Sequence, residues 1–491
     1  MTKSVVTLDD KYSLETGRVF LSSNQALVRL PMDQARRDRA AGLKTAGYIS
    51  GYRGSPLGVY DAALWAASKQ LEAFDVRFVP GLNEELAATA VRGTQELGWF
   101  GKSDYQGVFG LWYAKGLGVD RACEALKLGN LEGTSATGGV LVVAGDDHGG
   151  KSSASAHQSE HTLIAGFIPV LYPATIDEII EYGLYGWAMS RFSGAYAGLK
   201  CVTDTLDLSA SIELPDIYRK FVHPEVEEPK GGLNIRYTPA PLELEELTVK
   251  YRLPAVQAFL RANPLDRVVI DSPRRTLGLV AAGKAYLDLR QALTDLGLTE
   301  ERCRELGIGL YKPALVWPME PEGAERFASG YKALLVVEEK RPVMEEQLAR
   351  LLYGTPADRR PTLLGKRGPD GSSLLPEVGE LNPAIIRRAL VTVLESLGLA
   401  DGQLLDVSKR FTGLELEAGL VGSGRVRPPF YCSGCPHNTS TRVPEGSEAM
   451  AAVGCHGLAA YVMPERRTML PVNMGGEAMP WLAVSQFVER K

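Results

Sequence analysis

At 491 residues the chain is too long for one hydrophobic core and predicts about three domains. With 45% hydrophobic and 23% charged residues its composition is that of a soluble globular protein, and six cysteines are too few for a disulfide scaffold. A net charge of −5 argues against nucleic-acid binding, and the chain shows neither an apolar run long enough for a membrane span nor an export signal. We therefore expect a cytoplasmic protein.

Strand-like and helix-like stretches alternate between residues 20 and 205. The apolar runs that predict strands lie at 46–50, 76–79, 107–112, 139–144, 168–171 and 199–203, and the helical patterns include 59–74, 84–97 and 175–191. Short, continuously apolar strands that alternate with helices indicate a parallel α/β sheet. Ligands of such sheets bind at the carboxyl ends of the strands, so we expect the functional residues in the loops that follow the strands.

A polar, proline-containing stretch at 224–241 predicts a linker to a second α/β unit. The strands of this unit are expected at 277–281, 308–311 and 333–337, and its helices near 284–296, 342–352 and 383–397. The proline- and glycine-rich residues 354–382 predict a long surface loop, and an irregular stretch is expected from residue 398 to Arg427.

Two loops after strands carry candidate site residues. In the loop 51–58, Gly54 allows a ligand to approach the backbone, although on local chemistry alone a plain strand-to-helix turn is the better interpretation. Glu84 begins an alanine-rich helix, where an acidic residue is also favoured simply by the helix dipole.

A third loop, at 145–161, contains three of the six histidines. Their spacing matches no standard zinc motif, so a loop that faces a polar substrate is the better interpretation, with a hydrated surface loop as the alternative.

The strongest motif is Cys432-x-x-Cys435, which is followed by Cys455. Three clustered thiolates favour a soft metal, either an iron–sulfur cluster or zinc. His437 and His456 could complete a zinc site, and chance clustering is the remaining alternative.

Together these segments resemble the thiamine-diphosphate-dependent 2-oxoacid:ferredoxin oxidoreductases. Residues 52–56 resemble the family's Tyr-Pro-x-Thr-Pro loop, 83–87 its Asn-Glu-Lys-Val-Ala segment, and 147–158 its Asp-Pro-Gly-x-x-Ser-Ser-Gln loop. Residues 283–286 and 336–342 look like its transketolase-C-like domain, and 432–437 with 453–456 look like the opening of its pyrophosphate-binding domain. The Cys-x-x-Cys-Pro-His form points to the indolepyruvate branch, in particular its long fused bacterial form.

The resemblance implies an α/β fold built of thiamine-diphosphate-binding, transketolase-like parallel-sheet domains. A pyrimidine-binding domain is expected at 1–235, the transketolase-C-like domain with its 354–382 loop at 236–400, and a truncated pyrophosphate-binding domain at 425–491. Arg53 and Ser55 depart from the family's proline and threonine. The family's Gly-Asp-Gly motif for the magnesium diphosphate is absent, and so is a fourth cysteine beyond position 455. We therefore expect a fragment, or one piece of a split polypeptide, that is inactive alone.

The resemblance also implies residue roles. Glu84 is expected to activate the cofactor by contacting N1′ of its aminopyrimidine ring. Candidate contacts to an aryl 2-oxoacid are Ser55, Lys115, Ser152, Ser153 and His157. Further candidate cofactor contacts are Gly54, Gly454, His456, Gly475 and Gly476. A [4Fe–4S] cluster is expected on Cys432, Cys435 and Cys455.

The implied activity is oxidative decarboxylation of indolepyruvate to an acyl-CoA, with electron transfer to ferredoxin. The implied cofactors are thiamine diphosphate, Mg²⁺ and the cluster, and the implied assembly is a homodimer. Two alternatives stay open: a cluster-free thiamine-dependent 2-oxoacid decarboxylase or synthase, and a non-catalytic zinc-binding homologue.

Overall fold

The structure is a computed structural model and describes residues 6–237, 240–422 and 429–489. The chain divides into two units. Unit 1 comprises Met1–Gly149 and His157–Ser408, and unit 2 comprises Gly150–Ala156 and Lys409–Lys491.

The strands of the described residues all lie in unit 1. In chain order they are β1 (Arg18–Ser22), β2 (Thr45–Gly51), β3 (Val76–Phe78), β4 (Gly107–Lys115), β5 (Val140–Asp146), β6 (Val170–Leu171), β7 (Ala197–Val202), β8 (Ser209–Glu213), β9 (Arg267–Ile270), β10 (Leu277–Ala281), β11 (Ile308–Lys312), β12 (Leu315–Trp317), β13 (Ala333–Val337) and β14 (Thr362–Leu364).

The α-helices of unit 1 lie between these strands. In chain order they are α1 (Asp10–Ser13), α2 (Ser23–Ala40), α3 (Tyr60–Ala66), α4 (Ser68–Ala73), α5 (Glu84–Gly93), α6 (Gly116–Arg121), α7 (Cys123–Glu132), α8 (Glu160–Ala165), α9 (Ile176–Ser193), α10 (Thr203–Leu206), α11 (Pro241–Glu246), α12 (Leu253–Ala262), α13 (Gly283–Asp295), α14 (Glu300–Leu306), α15 (Pro321–Ala328), α16 (Met344–Leu352) and α17 (Pro383–Ser396). Helix α18 (Gly402–Gly422) then leads into unit 2.

The first sheet of unit 1 has seven strands in the order β12-β6-β7-β5-β4-β2-β3. All neighbours pair in parallel except β12, which runs antiparallel to β6. Successive side chains of a strand point to opposite faces, so Leu111 and Trp112 enter two different cores. Helices α2, α3, α9 and α12 cover one face, and α5 and α7 cover the other.

The second sheet has five strands in the order β14-β13-β10-β11-β9, with only β9 antiparallel. One of its faces packs on α13 and α17. The opposite face shares a hydrophobic core with the first sheet, in which Val142 and Tyr172 join Val280 and Val336. The loops at the carboxyl ends of both sheets meet, because Gln158 donates 2.9 Å to the Arg341 carbonyl and Lys284 lies 3.5 Å from Asp204.

The predicted parallel α/β fold is confirmed, and every predicted strand is present. The 354–382 stretch is largely irregular but contains β14, whose Leu364 is buried at the edge of the second sheet. The prediction of an irregular stretch from residue 398 onward is wrong, because 402–422 form α18. Residues 423–427 of the latter prediction lie outside the described residues. The chain also crosses between the sheets, since α12 packs in the first sheet's core and β12 forms its edge.

Unit 2 contains the short helices α19 (His437–Ser440), α20 (Leu458–Tyr461) and α21 (Met479–Val484). An isolated bridge joins Ala449 to Thr468. The assignment of 425–491 to a pyrophosphate-binding domain remains a prediction, and its first four residues lie outside the described part. Within the described ranges, none of the helices combines the length and the apolar character that a bilayer span needs.

Candidate active site

The candidate site lies at the carboxyl edge of the first sheet. Strands β2, β4 and β5 pair in parallel and end at Gly51, Lys115 and Asp146. Their following loops therefore meet on the same side of the sheet. The sequence placed Ser55 and His157 in these loops and Glu84 after the adjacent strand β3.

Glu84 is the first residue of α5 and is only 2% exposed. The side chain of Asn83 caps this helix by accepting 2.8 Å from the Leu86 backbone N–H. The indole N–H of Trp112 donates 2.9 Å to the Glu84 carbonyl and so ties the helix start to β4. These contacts hold Glu84 at the rim of the sheet.

The Glu84 carboxylate lies against α6. A Cβ added at Gly118 would stand 2.9 Å from Glu84 Oε1, so only glycine allows this approach. Arg121, on the same helix, places Nε 3.8 Å from Oε2, which is an ion pair but too long for a hydrogen bond. Among the described residues no hydrogen bond reaches this carboxylate, so its oxygens retain the capacity to accept one.

Lys115 ends β4 beside the Gly54 loop. Its stem covers Gly54, where an added Cβ would stand 2.6 Å from Lys115 Cδ. Burial lowers the pKa of Lys115, while the negative charges of Asp147 and Glu84 oppose the shift. A positive charge thus lies within electrostatic reach of Glu84.

The loop after β2 packs against the end of β5. Gly145, at the end of β5, lies under Leu57 and Pro56, since its added Cβ would stand 2.9 Å and 3.3 Å from their side chains. Ser55 is half-buried in this loop. Its proposed contact with substrate remains a prediction.

His157 forms a cluster that the sequence did not reveal. Its Nδ1 lies 3.1 Å from Asp146 Oδ1, and its Nε2 lies 2.7 Å from Asp120 Oδ2. Burial acts to lower the pKa of His157, but its hydrogen bonds to Asp120 and Asp146 outweigh burial and raise the pKa to about 9. At neutral pH the ring is therefore an imidazolium that donates to both carboxylates.

Asp146 links this cluster to a buried lysine. Ser159 donates to both Asp146 oxygens, at 2.8 Å from its backbone N–H and 2.5 Å from its hydroxyl. Lys200 Nζ lies 3.6 Å from Asp146 and 2.5 Å from Glu160. Burial acts to raise the pKa of Asp146, but the His157 hydrogen bond and the Lys200 charge outweigh it and hold the pKa well below its usual range. The sequence did carry one sign of Lys200, because a charged residue stands there inside the apolar run 199–203 that predicts a buried strand.

The other predicted site residues belong to unit 2. Ser152 is exposed and Ser153 is half-buried, within Gly150–Ala156. Gly454 and Gly475 adopt positive φ angles of 101° and 83°. An added Cβ at Gly476 would stand 2.8 Å from Asn473 Oδ1, and His456 Nδ1 accepts 2.8 Å from the Ala452 N–H.

The three clustered cysteines are all free thiols. Cys432 and Cys435 share one turn, closed by a 3.0 Å bond from the Cys435 N–H to the Cys432 carbonyl. Cys435 Sγ lies 3.2 Å from His437 Nδ1, and the His437 and His456 rings are 6.1 Å apart. Within the described ranges, no three His, Cys, Asp or Glu side chains are close enough to hold a metal.

The chain has two mainly parallel α/β sheets whose carboxyl-end loops meet, and this parallel α/β class is the one that the sequence predicted. Among solved structures it is similar to a 2-oxoglutarate:ferredoxin oxidoreductase from Magnetococcus marinus with 2-oxoglutarate, coenzyme A and succinyl-CoA bound. The TM-score is 0.51 at 15% identity, over 76% of this chain and 65% of that chain. This likeness supports the fold.

Residues 266–418 match the family model of the indolepyruvate ferredoxin oxidoreductase middle domain. The chain is 25% identical over 440 residues to the indolepyruvate oxidoreductase subunit IorA of Methanothermobacter thermautotrophicus, covering 86% of this chain and 59% of that protein. It is 23% identical over 477 residues to the IorA of Pyrococcus abyssi, covering 94% and 64%.

These matches confirm the resemblance recognised in the sequence motifs. They support an indolepyruvate ferredoxin oxidoreductase-type protein. It spans about three fifths of the length of these curated relatives.

Proposed function

We propose that the chain supplies the cofactor-activating part of a thiamine-diphosphate-dependent 2-oxoacid:ferredoxin oxidoreductase that acts on an aryl 2-oxoacid such as indolepyruvate. The observation that carries this proposal is the Glu84 carboxylate, 2% exposed at the carboxyl edge of a parallel sheet. A carboxylate buried there, which accepts no hydrogen bond from the residues that the structure describes, is suited to a ligand that brings a donor.

The residues of unit 1 fit the aminopyrimidine end of thiamine diphosphate. Glu84 would hold a proton between its carboxylate and N1′ of that ring, and Gly118 leaves the room for the carboxylate to do so. A buried acid and a ring nitrogen share a proton well because no water competes for it. The bound cofactor supplies the nucleophilic carbon and the electron sink that decarboxylation of a 2-oxoacid requires.

Lys115 and Ser55 are the proposed contacts to the substrate carboxylate. The Lys115 ammonium interacts electrostatically with the carboxylates of Glu84 and Asp147. It therefore offsets part of the repulsion that these two carboxylates would exert on a negatively charged 2-oxoacid. Ser55 lies next to Gly54 in the loop that the Lys115 stem covers. Ser152 and Ser153 remain proposed contacts from unit 2.

The wider proposal includes Mg²⁺, coenzyme A as acyl acceptor, ferredoxin as electron acceptor, a homodimer and a cytoplasmic location. The test uses the protein assembled with all its polypeptides, under anaerobic conditions. We expect indolepyruvate to reduce ferredoxin only when thiamine diphosphate, Mg²⁺ and coenzyme A are all present. Release of carbon dioxide without ferredoxin reduction would instead favour a cluster-free decarboxylase. No reaction with any 2-oxoacid would contradict the proposal.

The cysteines of unit 2 are proposed ligands of an iron–sulfur cluster, with zinc as the alternative that the 3.2 Å approach of Cys435 to His437 favours. We expect anaerobically prepared protein to contain iron and acid-labile sulfide, and Cys432→Ser to lose both. Cys123→Ser, in unit 1 at the start of α7, is the matched control and should retain them. Zinc without iron would instead support the non-catalytic homologue, and absence of both metals would exclude these cysteines as ligands.

A further inference from the structure

His157 has no ring nitrogen left for a substrate. Both nitrogens contact carboxylates, at 3.1 Å to Asp146 and 2.7 Å to Asp120, and the residue is only 8% exposed. The ring also lies directly on α6, since an added Cβ at Gly116 would stand 2.1 Å from Nδ1. This arrangement differs from the substrate contact that the sequence led us to expect.

The two carboxylates belong to different elements. Asp146 ends β5, and Asp120 lies in α6. Asp120 also accepts 2.7 Å from the Thr162 hydroxyl of α8, and Asp146 accepts from Ser159 just before α8. His157 therefore joins α6 to β5 and to the start of α8.

Helix α6 is also the helix that the Glu84 carboxylate touches. His157 lies on Gly116 and Glu84 lies on Gly118, two residues further along, while Val119 of the same turn is fully buried. A shift of α6 away from β5 would therefore move the wall on which the Glu84 carboxylate rests. A displacement of about 1 Å is enough to cost an enzyme up to 10²-fold in rate.

We infer that His157 is a positioning residue, whose imidazolium fastens α6 to β5 and thereby fixes the place of the Glu84 carboxylate. This inference rests on the proposed function of Glu84. Asp120 is then a positioning residue as well, because removal of its carboxylate would release α6 from the His157 ring.

The charges around the His157 ring determine how its contacts with Asp120 and Asp146 respond to pH. Asp120 faces it from α6, Asp146 from β5, and Lys200 of β7 and Glu160 of α8 lie beyond Asp146. His148 Nδ1 donates 2.8 Å to the His157 carbonyl. A pKa raised from 6.5 to about 9 means that folding favours the protonated ring. The stabilisation is complete below pH 6.5 and is lost as the pH rises through about 9.

Two measurements on the assembled protein test the inference. In the first, NMR of histidine-labelled protein follows all six rings, and His157→Gln assigns the signal. We expect a midpoint near 9 for His157, and a lower midpoint in Asp120→Asn. Asp120→Asn keeps the size of the side chain, so it remains informative if His157→Gln fails to fold. An ordinary histidine midpoint would refute the imidazolium and with it the inference.

The second measurement is the pH profile of 2-oxoacid oxidation. We expect kcat of the wild type to fall above pH 9, and kcat of His157→Gln to be lower by about 10- to 100-fold with KM nearly unchanged and no such alkaline limb. His223→Gln, an exposed histidine outside the cluster, is the matched control. A raised KM with unchanged kcat would make His157 a substrate ligand and overturn the inference. If the wild type oxidises no 2-oxoacid, the proposed function fails, while the NMR midpoint still decides whether the imidazolium exists.

Discussion

Glu84→Gln is expected to lower the turnover of the assembled enzyme by about 10²- to 10⁴-fold, the usual contribution of a positioned acid or base. The substitution keeps the size of the side chain and removes the proton that the carboxyl group would share with the cofactor. Glu84 is 2% exposed and lies against Gly118, so the carboxyl group is held in a buried position that bulk water does not reach freely. The loss should appear in kcat, since the amide can still occupy the same place.

Glu85→Gln is the matched control for this variant. Glu85 lies in the same helical turn and makes the same contribution to the helix dipole, but its side chain is exposed. Its removal should leave turnover within about twofold of the wild type. Near-normal activity of Glu84→Gln, measured as anaerobic ferredoxin reduction, would refute the catalytic role.

Lys200→Met is expected to destabilise unit 1 by about 3–5 kcal/mol, the cost of leaving a buried charge without its partner. Lys200 is 0% exposed and lies 2.5 Å from Glu160 and 3.6 Å from Asp146, so its loss leaves the buried Glu160 carboxylate without its ion-pair partner and removes one of the positive charges beside Asp146. Its ammonium also lies 4.7 Å from the centre of the Tyr172 ring. Burial acts to lower the pKa of Lys200, but Glu160 and Asp146 outweigh it and raise the pKa, so the lysine is charged at neutral pH.

Chemical denaturation of the variant and the wild type measures this difference. Lys69→Met, which removes an exposed lysine, should change the free energy of unfolding by less than about 0.5 kcal/mol. The double variant Lys200→Met, Glu160→Gln should be less destabilised than the sum of the single changes, because the second change removes one of the unpaired charges. A change below about 1 kcal/mol for Lys200→Met would contradict the account of this cluster.

The sequence predicted the fold where apolar runs were continuous, as in β4 and β5, because a strand buried on both faces has a strong pattern. It missed β12 and β14, since each has only three residues, and β12 in addition pairs with β6, a strand distant in the chain. It also missed α18, whose residues 402–422 contain four glycines. Gly402 begins this helix, and the others weaken the helical signal without preventing the helix.

The same contrast holds for the site. The position of Glu84 at the sheet edge could be predicted because it begins the helix that follows β3. The partnership of His157 with Asp120 could not, since the two are 37 residues apart and meet only when α6 lies beside the loop after β5. The roles of Gly116 and Gly118 could not be predicted either, because they depend on the side chains that pack against them in the folded protein.

The central claim is that the Glu84 carboxyl group activates the bound cofactor. The most direct test is the rate at which the thiazolium C2 proton of thiamine diphosphate exchanges with deuterium on the assembled protein, followed by quenched-flow NMR without substrate. We predict fast exchange on the wild type and on Glu85→Gln, and exchange close to that of the free cofactor on Glu84→Gln with the cofactor still bound. Equal exchange rates on Glu84→Gln and the wild type would contradict the account.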